Sequence, residues 1–281
     1  DSYRRYTARI KVRDAQRLLI ETGLRRALEH GGLFLLYQPI VDLRTGQVLA
    51  AEALVRWRRE DVGVMEAGAF IPVAEASGLI TAIDQWVVRT ACVEAARWRD
   101  AGHALKVAVN LSARQMHEPD LVEQVRHALD RSTLDARLLE IEVTEGVALR
   151  DVERSAEVLH EIRRLGVSIS VDDFGTGYSS LSFLRRLPVD RVKLDRSFVQ
   201  DVTRNPDDAA IATAVIAMSH GLRLGVVAEG VENEEQLEFL RRHDCDAMQG
   251  RLFSPPVEGQ ELLRLAARGP GRAEGEARAT S

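Results

Sequence analysis

Short apolar runs alternate with stretches of helical period along most of the chain. The apolar runs predict strands over Leu33–Val41, Gln47–Trp57, Leu105–Leu111, Leu138–Thr144, Val167–Asp172, Arg191–Leu194, Leu224–Ala228 and Asp246–Gln249. Several are continuous (VAVNL, VSISV, LGVVA), the pattern of parallel strands buried on both faces. The first two are joined by only Asp42-Leu43-Arg44-Thr45-Gly46, a connection that fits a hairpin and so one antiparallel pair. Between the strands the period changes. Over 83–98, Ile83, Trp86, Val87, Ala91, Ala95 and Trp98 fall on one helical stripe. Asn233 and Gln236 form a capping box for a helix over 234–243.

Residues 1–30 read as one helix, with Val12, Leu18, Leu19, Leu24 and Leu28 near a helical period and Gly31-Gly32 as its stop. Its first part, 1–17, reads as a connector helix from an upstream module, and an initial Asp in place of Met reads as an excised fragment. The segment 269–281 is small, polar and charged, and reads as a disordered tail. The globular part is then 18–268. Eight strands with mostly helical crossovers fit an α/β (β/α)8 barrel with one strand reversed, and a doubly wound open sheet is the competing architecture.

Composition narrows the classes. The 281 residues are 45% hydrophobic and 29% charged, as in a globular domain, and no apolar run reaches the roughly 18 residues of a membrane span. The net charge of −5 and 5% aromatic content exclude a basic footprint for a nucleic-acid polymer, while leaving a small phosphate-bearing ligand possible. Two cysteines, Cys92 and Cys245, point to structural thiols in a reducing, cytoplasmic setting, including the cytoplasmic part of a larger membrane-attached protein.

Barrel enzymes gather their reactive groups at the C-terminal ends of the strands. There this sequence places Glu52 and Arg56, Asn110, Glu142 and Glu145, Asp172 and Asp173, Lys193 and Asp195, Glu229 and Glu232, and Gln249. Any one of these acids has a plainer reading as a helix N-cap or solvated loop residue. Glu52 differs because it lies inside the apolar run VLAAEALV, where a carboxylate must be paired or metal-bound. Lys193, between Val192 and Leu194, has the alternative of a structural ion pair with a neighbouring acid. None of the 7 histidines falls at a strand end, so the donor set is oxygen, which selects Mg²⁺ or Mn²⁺ over zinc. Asp172 and Asp173 suit two bridged ions about 3.5–4 Å apart, the arrangement for in-line displacement at phosphorus. Arg56 is placed to clamp a phosphate oxygen, and Lys193 to orient the attacking water. In DDFGTGYSSL, Gly175 and Gly177 lack a third glycine at Ser180, which removes a dinucleotide fingerprint.

The segments YQPIV, AEALVRW, FIPVAEASGLI, VNLSARQ, EVTE, DDFGTGYSSL, VKLDRSFV, AEGVE and QGRLFSPP, spread over about 20–258, resemble the EAL domain of bacterial cyclic di-GMP phosphodiesterases. The resemblance implies a modified TIM barrel with its first strand antiparallel, and hydrolysis of cyclic di-GMP to linear pGpG with Mg²⁺ or Mn²⁺, two ions in all. It implies Glu52, Asn110, Glu142 and Asp172 as ligands of one ion, and Asp172, Asp173 and Glu229 around the other. Glu229 also has a general-base role in that family. Lys193 resembles the residue that contacts the nucleophilic water, Gln249 and Gln38 resemble ligand-positioning groups, and Glu145 the anchor of the DDFGTG loop. Substrate contacts are expected from Gln38, Arg56, Asp195, Gln249 and Glu232. A homodimer with Glu145 and the 173–182 loop near its interface, and an upstream sensory or GGDEF module, are further expectations. Arg251 stands where an aromatic residue is usual and Pro255 where Lys or Arg is common. Binding without cleavage, as a cyclic di-GMP receptor module, is therefore the alternative.

Overall fold

The computed structural model describes residues 17–176 and 184–268. A helix over 17–30 leads in, burying Leu24 and Ala27 while Leu18 and Leu19 stay 65% and 64% exposed. The two exposed leucines do not follow the apolar stripe that the sequence assigns them. Val12, the connector segment 1–16, and the tail 269–281 lie outside the described residues.

Strands β1 (Leu33–Asp42) and β2 (Val48–Arg59) form the expected hairpin. Asp42 closes its turn by accepting hydrogen bonds from the N–H groups of Arg44 and Thr45 at 3.0 and 2.6 Å. A short strand, β3 (Gly63–Glu66), extends the hairpin as an antiparallel partner of β2. No pattern along the chain marks it, because its four residues, GVME, are mostly exposed and show no inside-outside alternation.

The remaining strands are β4 (Lys106–Asn110), β5 (Leu139–Thr144), β6 (Ser168–Phe174), β7 (Arg191–Leu194), β8 (Gly225–Ala228) and β9 (Ala247–Gln249). From β2 through β4 to β9 every neighbour is parallel. β1 then pairs antiparallel with both β9 and β2, which closes the sheet. Closure excludes the open doubly wound sheet and gives an eight-stranded α/β barrel with its first strand reversed.

Helices cover the outside. The one at Ile80–Asp100 is longer than the stripe over 83–98 and buries Ile83, Val87, Ala91, Ala95 and Trp98 against the barrel. The helix at Glu234–Arg242 carries the expected capping box between Asn233 and Gln236. Inside, the barrel is layered. At its floor Glu140, 1% exposed, takes hydrogen bonds from Lys106 and Arg191, each at 3.2 Å. Ile40, Ala50, Val227 and Ala247 form an apolar plug. The residues of the candidate site lie at the opposite end.

Candidate active site

Strand alternation decides which acids enter the barrel. In β5, Glu140 and Glu142 share the inner face two residues apart, so the second lies one layer nearer the mouth. In β2 the same alternation turns Glu52 inward, directly across from Gln38 of β1. Adjacent residues normally point to opposite faces, yet Asp172 and Asp173 both bring a carboxylate oxygen to the cluster. The reason is a register shift in β6 between Val171 and Phe174, with Asp173 at φ +54°. The Asp173 N–H donates to Asp172 Oδ1 at 2.8 Å, which holds the kink.

Lys193, 1% exposed, sits at the centre. Its Nζ lies 2.6 Å from Glu229 Oε1, 2.8 Å from Glu142 Oε2, 3.3 Å from Glu52 Oε2 and 3.4 Å from Asp172 Oδ1. Glu52 is further held by Asn110 Nδ2 and Gln249 Nε2, each at 2.6 Å, and Gln249 also donates to Gln38 Oε1 at 2.9 Å. Burial disfavours the Lys193 ammonium, but four carboxylates outweigh it and hold the amine charged. Burial raises the Glu52 pKa less than Lys193, Gln249 and Asn110 lower it, so Glu52 stays ionised. Glu142 goes the other way: burial, then the charges of Glu52 and Asp172, push it well up despite Lys193. Burial, Asp172 and Glu52 push Glu229 up to about 8 against the pull of Lys193. Partial burial beside Asp172 and Asp195 raises Asp173 as well.

This excess of acid over base is what a divalent cation relieves. Glu52, Glu142 and Asp172 offer oxygens within 4.8 Å of one another, and so do Asp172, Asp173 and Glu229. Glu142 Oε1 and Gln249 Oε1 are buried without a hydrogen-bond partner among the described residues. An all-oxygen donor set with orphaned lone pairs fits Mg²⁺ or Mn²⁺.

Above the cluster opens a cavity of about 540 Å³, lined by Gln38, Glu52, Arg56, Asp172, Glu229 and Gln249 among others. Glu232 reaches it from the rim, where its N–H is held by Gln236 Oε1 at 2.7 Å. Two expected residues stand apart from the cluster. Asp195 caps the helix Arg196–Gln200, its Oδ1 accepting from the Ser197 N–H at 3.0 Å, as the plainer reading of a post-strand acid has it. Glu145, 2% exposed, accepts from the Gly175 N–H at 3.2 Å and so ties the start of the glycine loop to β5. The loop residues 177–182 lie outside the described residues.

The sequence reading missed Glu66 and Arg196, which also line the cavity. Glu66 sits on the unforeseen β3, opposite Arg56. Arg196 approaches through Gly230 (φ +68°), where a Cβ would lie 2.6 Å from the arginine's own Cβ. At Gly250 a Cβ would lie 2.0 Å from the Val231 carbonyl oxygen, so only glycine lets β9 and the loop after β8 meet beneath the cavity. Arg251 lines the same wall.

Comparison with known proteins agrees with this architecture. The cyclic di-GMP phosphodiesterase NbdA of Pseudomonas aeruginosa is 47% identical over 253 residues, 90% of this chain and 32% of that protein. The bifunctional diguanylate cyclase/cyclic di-GMP phosphodiesterase MucR of the same bacterium is 45% identical over 90% of this chain and 37% of its own. The chain thus spans about a third of the length of these curated relatives. Among solved structures, the PaMucR phosphodiesterase in complex with c-di-GMP superposes with a TM-score of 0.85 at 45% identity, covering 87% of this chain and 99% of that one. The FimX EAL domain from Pseudomonas aeruginosa bound to c-di-GMP gives 0.79 at 25% identity, over 85% and 96% of the two chains. The signature of the EAL domain covers residues 21–256, and the chain belongs to the EAL domain family.

Proposed function

We propose that this chain hydrolyses one phosphodiester bond of cyclic di-GMP, giving linear pGpG. The observation that carries the reading is the convergence of Glu52, Glu142, Asp172 and Glu229, from separate strand ends, around Lys193 at the base of one cavity. The likeness to phosphodiesterases that share 45–47% of their aligned residues supports the substrate.

Glu52, Asn110, Glu142 and Asp172 would hold one Mg²⁺ or Mn²⁺, and Asp172, Asp173 and Glu229 a second. Such ions supply charge neutralisation at phosphate and acidify water. The chain's own groups do the rest. Arg56, with no ion pair among the described residues, clamps a phosphate oxygen from the cavity wall. Gln249 and Gln38 fix the Glu52 carboxylate and the edge of the substrate subsite. Lys193 Nζ orients the water that attacks phosphorus. Glu229 Oε1, 2.6 Å from Lys193 Nζ, accepts that water's proton. The new P–O bond forms as the bond to the ribose 3′ oxygen breaks, and that oxygen takes up the proton that Glu229 accepted and leaves as a hydroxyl. Glu145 acts at a distance, by holding Gly175. Glu232 and Asp195 complete the proposed substrate surround, Asp195 through Asp173.

In the longer protein that its relatives exemplify, this chain serves as the phosphodiesterase module, dimeric and coupled through 1–17 to an upstream sensory or GGDEF domain. Incubation with cyclic di-GMP and Mg²⁺ or Mn²⁺, followed by chromatography, is expected to yield pGpG. Glu52→Ala is expected to cut turnover by about a hundredfold or more with the fold retained, as loss of a metal ligand does. Tight binding of cyclic di-GMP with no pGpG under either metal would replace this reading with the receptor module, for which the Arg251 substitution in the cavity wall is the motive.

A further inference from the structure

A second cavity, of about 360 Å³, lies on the outside of the barrel between the helices Ile80–Asp100 and Leu121–Ser132. Its floor is apolar, made by Val88, Leu121 and Val125. Its rim carries Arg89 and Arg131, both exposed and neither in an ion pair among the described residues. The third basic group there, His127, is engaged by Glu123 at 3.0 Å. Among the described residues no acidic side chain lines the cavity, although the chain as a whole has a net charge of −5. Two further cavities differ: one is edged by Glu234, Glu235 and Glu238, the other by Asp42, Asp244 and Asp246.

Gln115, 1% exposed, also borders the cavity, its Nε2 donating to Gln124 Oε1 at 2.6 Å.

We propose that this cavity is a binding site for a small amphipathic anion, an apolar body with one carboxylate or phosphate head. The apolar part occupies the floor of Val88, Leu121 and Val125. The head is held at the rim by the Arg89 and Arg131 guanidinium groups, whose planar fork suits either oxyanion. The volume matches ligands of modest size. The site also has a covalent route to the barrel mouth. Gln115 opens from a helix whose N-cap, Ser112, accepts from the Gln115 N–H at 3.2 Å, and Ser112 follows Asn110 by two residues.

The test is calorimetric titration of the full chain with octanoate and with phenyl phosphate, which separates a carboxylate from a phosphate head. Octanol and inorganic phosphate are the controls that lack the charge and the apolar body respectively. One or both amphipathic anions are expected to bind at least about tenfold more tightly than either control. The double variant Arg89→Gln, Arg131→Gln, at exposed positions that leave the fold intact, is expected to weaken that binding by about tenfold or more. Because binding is measured without cyclic di-GMP, the result is independent of whether the barrel mouth turns over substrate. Equal affinity for octanoate, phenyl phosphate and octanol would overturn the proposal, and so would unchanged binding to the double variant.

Discussion

Lys193 shares its ammonium among four carboxylates, a ratio that no arrangement of three N–H bonds can satisfy. Its removal leaves buried acids facing one another, and the already raised pKa values of Glu142 and Glu229 rise further. A group whose folded pKa is raised above its unfolded value lowers stability as pH climbs past the unfolded value. Lys193→Met is therefore expected to destabilise the metal-free protein by about 3–5 kcal/mol at pH 8, and by clearly less at pH 5. Urea unfolding in chelator at both pH values checks this. An equal loss at the two would mean that Lys193 matters by packing alone. At this scale Glu52 was legible because an acid interrupts an apolar run, whereas Glu140 was not. Glu140 and Glu142 sit in the same LEIEV segment with the same alternation, and only the neighbouring strands decide which one meets Lys193 and which meets Lys106 and Arg191.

Strand and helix ends set the site more than their middles do. The kink in β6 is an element-level event that adjacent aspartates in the sequence could only hint at, since a regular strand would have turned Asp173 away. The short β3 escaped notice for the opposite reason, having no buried face to announce it. The helix Ile80–Asp100 holds a buried acid of its own. Asp84, 6% exposed, accepts from the Ser112 N–H at 3.2 Å and so fastens the segment after β4. Burial lifts its pKa to about 7, with the Ser112 bonds opposing. Stability from this group is full below its unfolded pKa of roughly 4 and declines as pH rises towards 7, by up to about 1.4 kcal/mol per pH unit. Asp84→Asn keeps an acceptor and removes the titration. The variant is expected to be more stable than the wild-type chain at pH 8, with the advantage vanishing near pH 4. Chemical denaturation across that range is the measurement, and a pH-independent difference would place the cause elsewhere.

Across the whole barrel, the interior trades stability for ligand chemistry in one layer and recovers it in the others. A balanced floor, where Glu140 meets two cations, contrasts with a mouth in which acids outnumber Lys193. The reversed β1 could be read from apolar runs and one tight turn, but closure could not, because the same runs and crossovers also fit an open doubly wound sheet until β1 pairs with β9. The imbalance of the mouth could not, because it depends on the depth of each acid. Glu142 is its most telling member: 0% exposed, pushed well above the usual carboxylate range, with Oε1 unpartnered among the described residues. Glu142→Gln preserves shape and removes the disfavoured charge. Since a raised acid lowers stability progressively above its unfolded pKa, this variant should gain on the order of 1–3 kcal/mol over the wild-type chain at pH 7.5 in chelator, and little at pH 4. With saturating Mn²⁺ the order should reverse. A ligand that binds only the folded state adds about 4.1 kcal/mol at a thousand times its Kd, and the variant, short of one ligand, forgoes most of that gain, more than its lead in chelator. Thermal melts with chelator and with Mn²⁺ read both signs at once. A variant less stable than wild type in chelator would show that the mouth is not overloaded with negative charge, and the argument for paired cations there would fail with it.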